Sequence, residues 1–268
     1  MRLVSECAGI REHLVLCYGK AHMTPCLTLY TCVNRAYEDF VPLFSHSALY
    51  HCPEVAVEVG IQDYGFSFEY LEAVRLIQDA FPDRFKLSQV DFGPYQGFGR
   101  CPNVVRFMGT PQTRNPYIYI SDADIITLAP VLEPMRAALS KSGLSYVNLV
   151  RPEIPGQPRR LTGTHFSYWD AYYPLPDFSD LLPRGFLSWD ECFLYEIVSR
   201  KTRIDPAETF CPTFGIHASP NQPLGGGPLF WSREWRAYRA SLGFLELETL
   251  FSARIRDLVG KIDRESNI

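Results

Sequence analysis

The sequence predicts an α/β protein with a mostly parallel central sheet flanked by helices, folded as a single domain, and three observations predict it. From Cys26 onward, strand-like apolar runs alternate with stretches of helical period, the pattern of successive β/α units. The run Tyr117-Ile-Tyr-Ile120 has the composition of a strand covered on both faces, and it ends abruptly in two carboxylates, Asp122 and Asp124. With 268 residues, 46% of them hydrophobic, the chain can bury a sizeable core.

Taken in order, residues 1 to 25 give a weak pattern, a strand or helix around Leu14–Tyr18 with no functional signal. Cys26–Val33 is the first firm strand, closed by Asn34 and followed by a helical pattern through Phe40, Leu43, Phe44 and Leu49. Val55–Val59 is a second strand closed by Gly60. Leu71, Val74, Leu76, Ile77 and Phe81 then mark a helix over Phe68–Phe81 that stops at Pro82, and Phe85–Val90 is a third strand. Asn103–Gly109 carries Arg106, either a cation that reaches the acidic tip or a solvated helix arginine. Leu128-Ala-Pro130 starts a helix to Lys141 that Gly143 ends, and Leu144–Val150 is a further strand.

The second half reads less regularly. Arg151–Arg160 is a Pro- and Arg-rich surface loop. Leu161–Phe166 leans towards strand and contains Gly163, which permits close backbone approach of a ligand, and His165, a ligand contact or a hydrogen-bonded core histidine. Tyr168, Trp169, Tyr172 and Tyr173 form an aromatic wall or pack a helix. Ser188-Trp-Asp-Glu191 has the spacing of a capping box ahead of Phe193, Leu194, Ile197 and Val198. That gives Glu191 a structural task and leaves Asp190 free at a helix N-terminus, where the dipole favours its ionised form. Pro212–His217 is a short strand ending in histidine. Gly225-Gly-Gly227 is a flexible loop, and it is no P-loop because the following Lys-Ser/Thr is missing. Helices over Ser232–Leu242 and Leu245–Val259 precede a frayed tail, Asp263–Ile268.

The formal net charge of −4 and a pI near 5.9 argue against a general nucleic-acid surface, although Arg151–Arg160 and Arg233–Arg239 are local basic clusters. The eight cysteines are scattered without the close pairs of a zinc site and read as reduced, buried, small hydrophobes. No apolar run approaches the ~18 residues of a membrane span, and Glu6, Arg11, Glu12 and Lys20 interrupt the place of a signal peptide's apolar region. The expected location is cytoplasmic, at most peripheral to a membrane.

Asp122 and Asp124 lie where open α/β sheets place their ligands, beyond the carboxyl end of a strand. Two acids so close repel unless a cation separates them, and a divalent ion with hard oxygen ligands is the cheapest candidate. The alternative is an acidic turn whose side chains cap backbone N–H groups.

Together these features resemble the glycosyltransferases of the GT-A fold, over roughly Leu27 to His217. The resemblance implies that Thr31, Cys32, Val33 and Asn34 bind the nucleoside, and that Asp122-Ala123-Asp124 is the Asp-x-Asp motif binding Mn²⁺ or Mg²⁺ and the donor diphosphate. It also implies that Arg106 contacts the donor, that His217 completes the metal site, and that Asp190, with Glu191 as its competitor, is the catalytic carboxylate. Gly163 and His165 are counted with the donor-binding residues. Residues 26–150 then form the nucleotide-sugar half and residues 151–262 the acceptor half. The expected activity is sugar transfer from a nucleoside-diphosphate donor, a UDP-sugar first, to a glycan or glycolipid acceptor in surface polysaccharide or glycoconjugate synthesis. One departure is that Ala218-Ser-Pro-Asn221 stands where the galactosyltransferase-like pattern has Gly and Lys after the histidine.

Two rival readings remain. Phosphohydrolases of the haloacid-dehalogenase type also carry Asp-x-Asp at a strand end, but with Thr or Val where Ile126 stands, and on the strand that opens the fold. A carbohydrate-binding scaffold without turnover is the other.

Overall fold

Leu27–Val33 (β1) is a strand buried along its whole length, and the rest of the molecule is laid out on either side of it. A computed structural model describes residues 24–61, 68–90, 102–181, 190–206, 212–219 and 223–267. After β1 and a 3-10 turn at Glu38–Phe40 come α1 (Val41–His51), β2 (Val55–Ile61), α2 (Phe68–Ala80), β3 (Phe85–Gln89), α3 (Pro102–Met108) and β4 (Tyr117–Ile120). Then follow β5 (Ile125–Thr127), α4 (Leu132–Ser142), β6 (Tyr146–Val147), β7 (His165–Tyr168), α5 (Trp169–Tyr172) and α6 (Asp190–Ser199). The chain closes with β8 (Gly215–His217), α7 (Ser232–Arg239), α8 (Leu242–Glu248) and α9 (Ala253–Glu265).

The main sheet has the order β3-β2-β1-β4-β7-β6. The pairings β3/β2, β2/β1 and β1/β4 are parallel, whereas β7 runs antiparallel to both β4 and β6. The mostly parallel sheet flanked by helices expected from the sequence is therefore the fold observed. Side chains alternate strictly across it. Leu27, Leu29 and Val33 pack with α1, α2 and the C-terminal helices, while Tyr30 and Cys32 join Ile118, Ile120 and the residues of α3 and α6 on the other face. Both faces are covered, which is why β1 and β2 read as unbroken apolar runs. Strand order reverses between β1 and β4, and such a switch point opens a crevice at the carboxyl ends of the strands.

One buried charge fixes the approach to β4. Glu58 of β2 is fully buried, and its carboxylate accepts hydrogen bonds from Ser88 Oγ (2.7 Å), Gln112 N (2.9 Å) and Thr113 N (2.8 Å). Glu58→Ala leaves two backbone donors and a hydroxyl without their acceptor, at a cost of about 3 kcal/mol in urea unfolding, and Glu58→Gln, which keeps one carbonyl acceptor, costs less.

Several expected boundaries shift. Strand structure in Leu144–Val150 is confined to β6 and an isolated bridge from Val150 to Leu161, and β7 begins only at His165. α4 ends as expected at Gly143, which takes the left-handed conformation (φ 65°). The region Ser232–Val259 holds parts of three helices instead of two, because Ser241 and Ser252 each cap a new one by accepting from Phe244 N and Ile255 N. Of the expected frayed tail, Asp263–Glu265 instead close α9, where Asp263 accepts from Trp235 Nε1 at 2.7 Å and pairs with Arg239. Of the aromatic group, Trp169, Tyr172 and Tyr173 are buried, with Tyr172 Oη donating to Phe107 O and Tyr173 Oη to Gly109 O, so they pack the interior. Cys26, Cys32, Cys52 and Cys192 are free thiols. The expected element around Leu14–Tyr18 lies outside the described residues.

Candidate metal and donor site

β4 delivers Asp122 and Asp124 to the mouth of the crevice, and β5 turns the chain back against β8. Ile125 pairs with His217 in that antiparallel ladder, so the last residue of β8 arrives beside the acidic tip. His217 Nε2 lies 3.1 Å from Asp124 Oδ1, and Ala218 N donates to the Asp124 carbonyl at 2.7 Å. One ligand atom from each of Asp122, Asp124 and His217 falls within 4.8 Å of the others. Among the described residues this is the one cluster of metal-ligating side chains of that kind.

Glycines make the ladder possible. A Cβ at Gly215 would overlap the Ile126 carbonyl, and one at Gly226, which has φ 77°, would overlap the Gly215 carbonyl. Gly225 exchanges two backbone hydrogen bonds with His217, at 3.0 and 2.9 Å. Of the triple-glycine segment, expected as a flexible loop, Gly225 forms an isolated antiparallel bridge to the histidine.

Across the cleft stands Arg106, only 3% exposed. Its NH1 contacts Asp122 Oδ1 at 2.8 Å, and its NH2 contacts both Asp190 Oδ2 and the Gly163 carbonyl at 3.0 Å. The arginine is a buried hinge between the Asp-x-Asp tip and the first turn of α6, and the solvated alternative is wrong. Gly163 permits close backbone approach as expected, yet what approaches is Arg106 and Asp122, at 3.0 and 3.2 Å from where its Cβ would be. Asn148, which carries no sequence signal, holds that wall: its Oδ1 accepts from Thr162 N (3.0 Å) and Thr162 Oγ1 (2.6 Å), and its Nδ2 donates to Thr164 O (2.6 Å).

The two acids at the start of α6 have different surroundings. Asp190 pairs with Arg106, whereas Glu191 accepts from Arg151 NH2 at 2.8 Å and lies 3.7 Å from Arg160 NH1. The expected capping box cannot be assigned, since Ser188 lies outside the described residues. The structural task of Glu191 is to tie α6 to the ribbon whose ends, Arg151 and Arg160, are themselves hydrogen-bonded.

Of the four residues expected to bind a nucleoside, Cys32 lines the cleft. Strand alternation turns Thr31 and Val33 into the α1-side interior, where both are buried. Burial pushes the Cys32 thiol up to about 12, and its Sγ donates to Tyr30 Oη at 3.1 Å, so it is an inert wall. Asn34 shapes the turn after β1: its Oδ1 accepts from Ala36 N at 3.1 Å and its carbonyl from Tyr37 N at 2.9 Å. That turn carries the ring of Tyr37 into the cleft, an aromatic residue that sequence reasoning passed over.

His165 is not brought to the site. It is 1% exposed, opposite Ile120 on β4, with its ring stacked on Tyr146 at 5.7 Å and its Nδ1 3.4 Å from Asn148 Nδ2. Burial lowers its pKa to about 3, so it is a neutral core histidine. His217 and His165 both bound short strands, and only the partner strand distinguishes them.

The cleft lined by these groups has a volume of about 610 Å³, within the ~300–1,000 Å³ range of small-molecule sites. Its electrostatics favour a cation. Burial raises the pKa of Asp122, Asp124 and Asp190 add to the rise, and Arg106 and His217 offset it only in part. The hydrogen bond to Asp124 raises the pKa of His217 above its ordinary value against the effect of its own burial. Two carboxylates and an imidazole that converge in this way are a donor set suited to a divalent ion.

No protein-family model and no curated protein matches the sequence. Among solved structures, the chain is similar to the galactosyltransferase LgtC in complex with donor and acceptor sugar analogues. The TM-score is 0.52 at 11% identity, covering 86% of this chain and 99% of that one. A second similar structure is S. aureus TarS 1–349 in complex with UDP, with a TM-score of 0.45 at 12% identity, covering 87% of this chain and 71% of that one. The first likeness shows the GT-A glycosyltransferase fold, and in this chain Asp122 and Asp124 follow β4, the fourth strand in chain order. A haloacid-dehalogenase arrangement would carry its acids on the strand that opens the fold, whereas here three strands precede β4.

Proposed function

We propose that this protein is a metal-dependent glycosyltransferase that moves a sugar from a nucleoside-diphosphate donor, a UDP-sugar first, to a hydroxyl of a glycan or glycolipid. The observation that carries the reading is the Asp122–Asp124–His217 triad at the β1/β4 switch point, joined through Arg106 to a second carboxylate, Asp190. Residues 26–150 then hold the donor and residues 151–262 the acceptor. Among the described residues no helix is long and apolar enough to cross a membrane, and a cytoplasmic site of action is part of the proposal.

Asp122, Asp124 and His217 would hold Mn²⁺ or Mg²⁺, which when bound supplies Lewis-acid stabilisation of the charge on a departing diphosphate. The remaining work falls to the chain. Tyr37 offers a flat face on the β1 side of the cleft. Arg106, already bonded to Asp122, Asp190 and the Gly163 carbonyl, fixes how far the acidic tip stands from α6. As the bond to the leaving group breaks, the sugar carbon becomes oxocarbenium-like, and the Asp190 carboxylate stabilises it or takes the proton of the acceptor hydroxyl. Glu191, held by Arg151 and Arg160, orients the wall on which the acceptor rests.

The test is thermal unfolding with Mn²⁺ and a set of nucleoside diphosphates, because a ligand of the native state raises its stability. A rise in Tm with one nucleotide, dependent on Mn²⁺, supports the transferase. Indifference to every nucleotide favours a scaffold without turnover.

The same assay has a pH signature. Asp122 and His217 both have raised pKa values in the metal-free fold, so the native state keeps protons that the unfolded chain releases. Their contribution to stability is therefore lost as pH rises through the carboxylate range and then through the raised value of His217. Loading the triad with Mn²⁺ needs both groups deprotonated. The increment in Tm between EDTA and Mn²⁺ is expected to grow from about pH 5 to about pH 8, through the ordinary range of histidine and on to the raised value of His217. An increment independent of pH would show that His217 is not a ligand.

A further inference from the structure

The loop after β1 is gripped from the far end of the chain. Ser252, the N-cap of α9, donates its hydroxyl to Asp39 Oδ2 at 2.9 Å. Arg254, in the first turn of α9, forms a two-pronged ion pair with the same carboxylate, with Nε to Oδ2 at 2.9 Å and NH2 to Oδ1. Its NH2 also donates to the Ala36 carbonyl at 2.7 Å. The guanidinium lies 4.9 Å from the centre of the Phe40 ring and 6.0 Å from that of Tyr37, and the two rings are stacked at 5.6 Å. One arginine therefore touches the carboxylate, the backbone and both aromatic rings of the segment 36–40. Tyr37 is the member of that segment that lines the cleft. Within the segment itself, Asn34 accepts from Ala36 N and Tyr37 N, and Phe40 N donates to the Tyr37 carbonyl.

We infer that Arg254 and Asp39 are positioning residues for donor binding: α9 holds the Tyr37 ring at the angle the nucleoside needs, and so couples the C-terminal helix to donor affinity. The bidentate planar contact explains why arginine stands at position 254, since lysine could reach the carboxylate but could not also bond Ala36 O and lie over two rings. The inference rests on the transferase reading, and it concerns the nucleoside alone, because the ion pairs of Asp122, Asp124 and His217 are made with Arg106 and with one another.

That separation provides the test. Wild type, Arg254→Gln and Asp39→Asn are titrated calorimetrically, in Mn²⁺, with inorganic pyrophosphate and with whichever of UDP, GDP, CDP and ADP the wild type binds most tightly. Far-UV circular dichroism confirms that each variant is folded at the assay temperature. If release of the loop leaves about a tenth of molecules competent, nucleotide affinity falls about tenfold while pyrophosphate affinity is unchanged. In a Tyr37→Ala background, Arg254→Gln should cost nothing further. Equal loss for both ligands, no loss for either, or full additivity with Tyr37→Ala each overturns the positioning role and leaves the transferase reading standing. A wild-type protein that binds neither ligand in Mn²⁺ overturns both.

Discussion

Asp122→Asn and Asp124→Asn each weaken Mn²⁺-dependent binding of a nucleoside diphosphate by ~10²-fold or more, beyond the ~10–100-fold that accompanies loss of an outer-sphere partner of a metal site. Both substitutions keep volume, so the loss is one of charge and ligand chemistry. Asp122 sits beside Asp124 and Asp190, and burial already disfavours its ionised form. Its neutralisation leaves Arg106 bonded to Asp190 and to the Gly163 carbonyl. The metal-free Asp122→Asn protein should therefore melt no lower than wild type. Asp124→Asn removes the charge that holds the proton on His217, so His217 titrates nearer its ordinary range in that variant. Calorimetry with UDP and Mn²⁺, repeated in EDTA, separates metal-dependent affinity from the rest. Unchanged affinity in both variants would remove the metal centre and the assignment built on it.

Asp190→Asn lowers sugar transfer at saturating donor by ~10²–10⁴-fold, the usual worth of a general base or a charge at the reacting centre, with nucleotide affinity largely retained. Glu191→Gln should lose under ~5-fold, since a partly exposed ion pair is worth about 0.2–1 kcal/mol and the side chain keeps its length. The contrast follows from where the two carboxylates are anchored. Asp190 is tied to the Asp-x-Asp tip through Arg106, at 2.8 and 3.0 Å, whereas Glu191 is tied to the ribbon through Arg151 at 2.8 Å. Initial rates at saturating donor, with affinity measured separately, distinguish an effect on turnover from one on binding. A folded, dead Glu191→Gln beside a fully active Asp190→Asn would exchange the two roles. Normal turnover in both would place the catalytic carboxylate elsewhere.

What could be read from the sequence is what local physics writes into adjacent residues. Tyr117–Ile120 is covered on both faces, so it must be apolar throughout, and the chain then becomes polar where it leaves the sheet, which marks Asp122 and Asp124 as an acidic tip. The helical spacing of Phe193, Leu194, Ile197 and Val198 likewise places Asp190 and Glu191 in a first turn. The tertiary structure alone decided which distant groups meet these acids. Arg106 reaches Asp190 across 84 residues, and Arg254 reaches Asp39 across 215. The sequence leaves Arg106 open between a cation that reaches the acidic tip and a solvated helix residue, and it marks Arg254 in no way at all. His165, within the strand-leaning run Leu161–Phe166, and His217, at the end of the run Pro212–His217, were both candidate ligands in the sequence. Pairing opposite Ile120 in the central sheet buried the first, and pairing opposite Ile125 at its mouth delivered the second to Asp124. Strand register is a long-range choice made by the whole sheet, and a shift of one residue would exchange inside for outside, so no local pattern could have recorded it.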